Sequence, residues 1–487
     1  MSKPTIPKGT RDFGPEEVGK RNFIFDTIRN VFVKYGYQPI ETPTMENLAT
    51  LTGKYGEEGD KLLFKVLNNG DFLEKANADA LAQKNSVGII PSISKRGMRY
   101  DLTVPFARFV VMNQNSITFP FKRYQIQPVW RADRPQKGRY QEFYQCDVDV
   151  VGSDSLMYEA ELVQIYDEAF AKLGIKSTIK INNRKVLFGM AEAAGIADQF
   201  MDMTMAIDKL DKVGEEGVKN EMLNRNIPET AIDQVLKILK VTSLDELTIL
   251  FENSKTGRKG IEELRTFHKY FDQKEPVNTV KFDITLARGL NYYTGCIFEV
   301  SADDVKIGSI GGGGRYDDLT GVFGLKGVSG VGVSFGADRI YDVMEELNIF
   351  PKEATQGLHL LFIAFDEASH SFAFDWLNKV RAAGIPSELY PAPLKLNKQM
   401  KYANSRKAPF VALVGSEEMA KDVVALKNME TGEQSLVSLE QLIKEMVASQ
   451  KTDSPAKKIV RLLYGGERRP MLTKRIQKRG IKGTKKK

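Results

Sequence analysis

The sequence predicts an α+β fold in two parts, the first interrupted by a helical insertion and the second a smaller α/β domain. Three observations predict it. Residues 121–152 read as two strands joined by an arginine-rich loop, with side chains alternating between two faces of the second strand. From 184 to 276 the texture changes to helical runs rich in Lys, Glu and Leu, with no strand pattern. Beyond a boundary at 351–356, strand and helix patterns alternate up to 449. The expected organisation is a core in two pieces, 1–183 and 277–350, an insertion at 184–276, a second domain at 356–449 and a tail at 450–487.

Composition sets the bounds. A chain of 487 residues suits roughly two to four domains with substantial cores. No run approaches the roughly 18 to 20 apolar residues of a membrane span, so no membrane association is expected. The first residues lack the apolar stretch of a signal peptide. Cys146 and Cys296 are too few for a disulfide framework, and together these features place the chain in the cytoplasm. The net charge of +7 hides an asymmetry: residues 451–487 hold 14 Lys/Arg and 2 Asp/Glu, a net of +12, which leaves −5 for the rest. With too few apolar residues for a core, that tail is expected to be disordered and to suit nonspecific contact with a polyanion.

In chain order, Phe23, Ile24, Ile28, Val31 and Phe32 recur at helical spacing over 19–35. A turn at 36–39 and an extended stretch at 40–43 follow, and helix plus strand suit either an ordinary core or a dimer interface. Residues 64–67 and 98–102 read as strands, separated by a polar segment with few structural signals. Pro105 opens a helix to 113, and Asp101 and Thr103 sit at the junction before it, a common place for ligand contacts. Taken alone, Asp101 reads as a helix cap.

In the central hairpin, Gln145, Asp147 and Asp149 share one strand face, and Tyr144, Cys146 and Val148 the other. The loop carries Arg131, Arg134, Lys137 and Arg139, with Pro135 and Gly138 as turn residues. Guanidinium groups beside strand carboxylates suit a ligand with phosphate at one end and an amine at the other. An amphipathic helix at 155–173 and a strand at 175–182 lead to the helical insertion. Strand character returns at 280–284, before LARGLNYYTG and a strand at 296–300. The run Gly311, Gly312, Gly313, Gly314 lacks the Gly-Lys-Ser/Thr ending of a phosphate loop, and suits close backbone approach between strands or to a flat ligand. VSGVGVSFGADRIYDVM then reads as strand, turn and helix, with Arg339 in the first turns. The second domain reads as strand LHLLFIAF, helix 371–383, strand 387–389, helix 396–405, strands PFVALVG and VVALKNM, and helix 439–448.

The candidates for chemistry are Arg131, Arg139, Arg288 and Arg339, with Asp101, Gln145 and Asp149 as polar partners and Tyr292 and Tyr293 as adjacent aromatics. His268, His359 and His370 are scattered, no cluster has metal-ligand spacing, and no nucleophilic triad is evident. What remains is cation-rich electrostatics, the chemistry of phosphoryl or adenylyl transfer.

The stretches RYDLTVPFAR, GRYQEFYQCDVD, AIDKLDKVG and LARGLNYYTG, in that order, resemble the histidine–tRNA ligases, a class II aminoacyl-tRNA synthetase family, in its eukaryotic and archaeal style. The likeness runs from residue 6 to about 450. WRADRPQKGRY looks like the class hairpin motif, GVGVSFGADRI like its third motif, and the first helix with Pro43 like its dimer-forming first motif. The resemblance implies a class II antiparallel-sheet catalytic core and an α/β anticodon-binding domain. It implies activation of histidine with ATP to histidyl-adenylate and pyrophosphate, then transfer to the 3′ end of tRNA(His), by a homodimer.

Carried over by position, Arg131 and Arg288 are the catalytic cations at the α-phosphate. Asp101, Leu102, Thr103, Gln145, Asp149, Tyr292 and Tyr293 bind histidine. Arg131, Arg139, Glu142 and Arg339 bind ATP. Mg2+ is expected with the ATP, and no metal site on the protein. The chain departs from the family at Asn291, where Asp is usual, and at Asp133 and Asp338, where Glu is common. The helical insertion, for its basic helices, is the expected clamp on the tRNA acceptor arm. Two alternatives are a synthetase-derived RNA-binding module and the regulatory subunit of ATP phosphoribosyltransferase. The latter lacks an anticodon-binding domain and loses catalytic residues, whereas Arg131, Arg288, Arg339 and a following α/β domain are all present here.

Overall fold

The computed structural model describes residues 3–287, 292–317, 319–355 and 357–452. The chain divides into two compact units, 1–355 and 356–487. In the first unit the strands are β1 (Gln38–Pro39), β2 (Met45–Asn47), β3 (Lys65–Val66), β4 (Arg96–Met98), β5 (Phe121–Trp130), β6 (Glu142–Val151), β7 (Ser177–Asn183), β8 (Thr279–Phe282), β9 (Cys296–Ala302), β10 (Gly311–Tyr316) and β11 (Gly330–Gly336). Eight of them form one sheet, in the order β1-β5-β6-β11-β10-β9-β7-β8, and β2, β4 and β3 form a small second sheet. The six central strands are antiparallel, while β1 on β5 and β8 on β7 are parallel. A parallel neighbour needs a long crossover, and for β7 and β8 the whole helical segment supplies it.

The sheet's two faces differ in chemistry because alternation is strict along the hairpin. Its register sets Arg123 against Asp149, Gln125 against Asp147 and Gln127 against Gln145, so these six polar side chains share one face. Cys146, Val148 and Val150 point the other way, fully buried with the helices Pro15–Lys34 and Met157–Leu173. The first helix opens with Pro15 and carries Glu16 and Glu17 in its first turn, both favourable at an N-terminus. Its apolar stripe, Ile24, Ile28, Val31 and Phe32, is buried in this chain's own core, with Phe32 5.5 Å from the Tyr124 ring and 5.7 Å from that of Phe335. That stripe is therefore not a free surface for a second copy.

The segment read as structurally plain holds the helices Ala78–Ala82 and Ser86–Ile93, capped by the side chains of Asn77 and Asn85. The helical insertion begins directly at the end of β7, where the Asn183 side chain accepts from Lys185 N at 2.9 Å. Its helices Arg184–Ala193 and Lys255–Phe271 meet closely: a Cβ on Gly189 would lie 2.6 Å from Gly257 Cα. Val186, Leu187, Ile261 and Leu264 join Ile179 and Ile181 of the sheet in one hydrophobic cluster. The insertion is thus built onto the sheet, not tethered to it. Residues 184–276 hold 14 Lys/Arg and 17 Asp/Glu, so the insertion is not basic, and its charge does not support a clamp on RNA.

The second unit is a five-stranded sheet of β12 (Leu360–Ala364), β13 (Ser387–Leu389), β14 (Phe410–Val414), β15 (Val424–Asn428) and β16 (Gln434–Val437), ordered β13-β12-β14-β15-β16. β13, β12 and β14 run parallel, and β15 and β16 add an antiparallel edge. All five residues of β12 are buried, as a central parallel strand requires. The helices Glu367–Ala382, Leu396–Ser405 and Leu439–Thr452 follow the sequence pattern, and β16 and the helix Ser416–Ala420 are additions to it. The expected disordered tail falls, from residue 453 on, outside the described residues. Among the described residues no helix is long and apolar enough to cross a membrane.

Candidate active site

The polar face of the large sheet carries a cavity of about 550 Å³. Gly311, Gly312 and Gly313 of β10 line its floor, and Arg131, Arg139, Gln145, Tyr293, Ser334 and Arg339 stand around it. The glycines allow the close approach expected of them. A Cβ on Gly313 would lie 2.2 Å from the Gly332 carbonyl, and one on Gly311 would strike the Tyr166 ring at 2.8 Å. On Gly312 a Cβ would meet only the Phe298 carbonyl, at 3.4 Å, so its hydrogen keeps the floor low beneath the open volume.

Each cation is held by a different element. Arg131, just past β5, donates from Nε to the Tyr100 carbonyl at 3.1 Å and lies over the Tyr100 and Phe143 rings at 4.2 and 5.1 Å. Such stacking fixes a guanidinium plane without consuming its terminal donors. Arg139 is more exposed and lies 3.6 Å from Asp133. Arg339 belongs to the helix Ala337–Glu346 and donates to the Gly138 carbonyl at 2.8 Å and the Ser309 carbonyl at 2.7 Å, tying the hairpin loop to the cavity wall. Asp338 beside it is an anchor: it accepts from Arg21 at 2.6 Å, from Tyr144 N at 2.8 Å and from Arg11.

The acidic and amide groups form a graded series along β6. Gln145 lines the cavity; its Nε2 donates to Ser334 Oγ at 2.9 Å, while its Oε1 is buried with no partner among the described residues. Asp147 is 2% exposed, and burial pushes its carboxyl up to about 7, with Arg123 opposing and Asp149 adding to the rise. Asp149 lies deeper. It sits 2.8 Å from Arg123 as an ion pair poorly aligned for a hydrogen bond, and accepts from the Tyr316 hydroxyl at 2.7 Å. Gly332 makes room for it, since a Cβ there would lie 1.8 Å from the Asp149 carboxylate. Burial raises the Asp149 pKa and Arg123 holds it back.

Comparison with known proteins decides the family. The sequence profile of the histidyl-tRNA synthetases matches residues 71–340. A histidine–tRNA ligase of Phocaeicola vulgatus is 56% identical over 91% of this chain and 98% of that protein. The chain belongs to the histidyl-tRNA synthetase family. A histidine–tRNA ligase of Bacteroides fragilis is 57% identical over the same shares. Both relatives are bacterial, whereas the motif stretches read in the eukaryotic and archaeal style. The histidyl-tRNA synthetase structure from Nostoc sp. PCC 7120 is 28% identical and superposes with a TM-score of 0.78, covering 92% of this chain and all of that one. An anticodon-binding domain profile matches residues 359–449, the second unit's sheet and helices.

Of the residues the synthetase resemblance singled out, Arg131, Arg139, Gln145, Tyr293 and Arg339 line the cavity. Asp101, Leu102, Thr103, Asp149, Tyr292 and Glu142 do not line it. Asp101 acts as a cap, accepting from Val104 N and from the Tyr55 hydroxyl, each at 3.1 Å, and burial raises its pKa. Leu102 is fully buried and Thr103 starts the next helix. Tyr292 meets Tyr293 edge-on at 4.9 Å, and burial raises both hydroxyl pKa values. Glu142 accepts from Trp130 Nε1 at 2.8 Å at the outer end of the hairpin. Arg288 and Asn291 fall outside the described residues. Tyr100 and Phe143 line the cavity and were not singled out; Phe143 shares the strand face of Gln145, so alternation alone points to it.

Proposed function

We propose that this chain activates histidine with ATP in the 550 Å³ cavity and passes the amino acid to the 3′ end of tRNA(His). The observation that carries the assignment to this cavity is its pairing of three arginines with a buried, unpartnered amide oxygen across a glycine floor. In the first step a histidine carboxylate oxygen attacks the α-phosphorus. The bond to the bridging β-phosphate oxygen breaks, and pyrophosphate leaves with the electron pair. Arg131 and Arg288 are assigned to the charge that develops there, and Arg139 and Arg339 to the remaining phosphates, with Glu142 as a further nucleotide contact. In the second step a hydroxyl of the terminal tRNA ribose attacks the histidyl carbonyl and AMP leaves.

Gln145 is assigned to histidine because its free Oε1 needs a donor, and the ammonium and the imidazole N–H are both donors. Tyr292 and Tyr293, with Asp101, Leu102, Thr103 and Asp149 supporting them, complete the histidine side. Mg2+ is assigned to the ATP phosphates alone. Among the described residues no group of three or more His, Cys, Asp or Glu could hold a metal.

The remaining assignments concern context. The second unit holds the anticodon stem, as its matched profile supports. A homodimer rests on the first-motif likeness, with a surface other than the first helix's buried stripe; a stable, active 54.7 kDa monomer in sedimentation at micromolar concentration would refute it. Buried free Cys146 and Cys296 suit a reducing compartment such as the cytoplasm. Charging of tRNA(His) with labelled histidine tests the whole reading, and no charging by the folded protein contradicts it.

A further inference from the structure

Tyr292 and Tyr293 are carried on a chain segment whose described legs are both held at one place, the three residues where β7 becomes the first insertion helix. On the incoming leg, the fully buried Asn182 donates its two amide hydrogens to the carbonyls of Ile284 and Leu286, at 3.2 and 2.9 Å. Asp283 tightens this leg by accepting from Thr285 N at 3.1 Å and Thr285 Oγ1 at 2.6 Å. On the outgoing leg, the Arg184 backbone N–H donates to the Gly295 carbonyl at 2.9 Å.

The outgoing leg has a second anchor immediately after the tyrosines. Thr294 Oγ1 donates to Asp317 Oδ2 at 2.6 Å and accepts from Asp317 N at 3.1 Å. Asp317 also accepts from Ser329 Oγ at 2.7 Å, and Ser329 accepts from Arg315 Nη1 at 2.5 Å. Arg315 in turn makes a two-pronged contact with the fully buried Glu159, at 2.5 and 2.7 Å. The chain Glu159–Arg315–Ser329–Asp317–Thr294 thus runs from the helix Met157–Leu173 to the residue adjoining Tyr293. None of these side chains lines the cavity.

We propose that Thr294 and Asp317, together with Asn182, are positioning residues that set the Tyr292–Tyr293 pair for histidine. This rests on the assignment of the tyrosine pair to histidine. Weakening one hydrogen bond to histidine through loss of an anchor is expected to raise the Michaelis constant for histidine about 10-fold.

The test compares Thr294→Val, Thr294→Ser and Tyr293→Phe in histidine-dependent ATP–pyrophosphate exchange. Valine keeps the shape of threonine and loses both hydrogen bonds; serine keeps them. The expected result is a raised histidine constant for Thr294→Val, an unchanged constant for ATP, and wild-type values for Thr294→Ser. If Tyr293→Phe raises the histidine constant and folded Thr294→Val does not, the positioning role is wrong. If Tyr293→Phe leaves that constant unchanged, the assignment of the tyrosine pair itself fails. Should Thr294→Val melt below the assay temperature, Asp317→Asn replaces it, keeping the shape and losing the charge. A wild-type histidine constant in that variant overturns the proposal, and a selective rise supports it.

Discussion

Replacing Gln145 with Leu separates histidine recognition from nucleotide binding. Leucine nearly matches glutamine in volume and removes an amide that lines the cavity and whose buried oxygen has no partner among the described residues. In the free protein the cost is small, because that oxygen already lacks a partner and only the 2.9 Å bond to Ser334 is lost. In the complex, a donor on histidine would be buried without its acceptor, which costs about 1–3 kcal/mol. At about 1.4 kcal/mol per tenfold, the Michaelis constant for histidine should rise roughly 5- to 150-fold. The constant for ATP should stay within about twofold, since the nucleotide is assigned to the arginine side. The assay is pyrophosphate exchange with each substrate varied at saturating levels of the other, beside a thermal melt. A shift in the ATP constant would move Gln145 to the nucleotide. A lowered melting temperature with both constants unchanged would make it structural.

Three further outcomes follow from the same geometry. Arg288→Ala should cut the exchange rate roughly 10²- to 10³-fold and leave histidine binding nearly intact, as for loss of one transition-state charge contact; a change confined to the histidine constant would refute the assignment. Asp149→Ala strands the fully buried Arg123 and should cost about 3–5 kcal/mol of stability, measured by urea unfolding; a loss below about 1 kcal/mol would mean the ion pair is not holding the hairpin. The Asp147 carboxyl is raised to about 7 in the fold, so its contribution to stability is full below its unfolded pKa near 4 and is lost as pH rises toward 7. Asp147→Asn should therefore gain stability relative to the parent between pH 4 and 7, by at most about 1.4 kcal/mol per pH unit, and a difference that does not vary with pH would contradict the buried-carboxyl account.

The hairpin was legible because both of its strands are ten residues long and polar and apolar side chains alternate between the two faces. Strict alternation then announces strand, face and partners together. Arg123 was legible too but overlooked: counting back from Trp130 opposite Glu142 brings it to Asp149. The sequence could not disclose that Asp149 is occupied by Arg123 and Tyr316, because Tyr316 arrives from β10, more than 160 residues later. The helices between 78 and 93 were missed for want of an amphipathic stripe, and Pro91 inside the second argues against helix. Their Asn77 and Asn85 caps were the available signal. The insertion's packing onto Ile179 and Ile181 could not be read from its helical texture, which reports local propensity, because that packing is a long-range fact. The first helix shows the same limit: its stripe was visible, but not whether it would be covered by the chain's own sheet or by a second copy.

The central claim is that this cavity makes an adenylate from histidine. Histidine-dependent exchange of labelled pyrophosphate into ATP by the full-length protein tests it most directly, because the step needs no tRNA. The account predicts exchange with histidine and none with the other amino acids or without one. Histidine binding without exchange, in folded protein supplied with Mg2+ and ATP, would contradict it and leave a regulatory paralogue in its place.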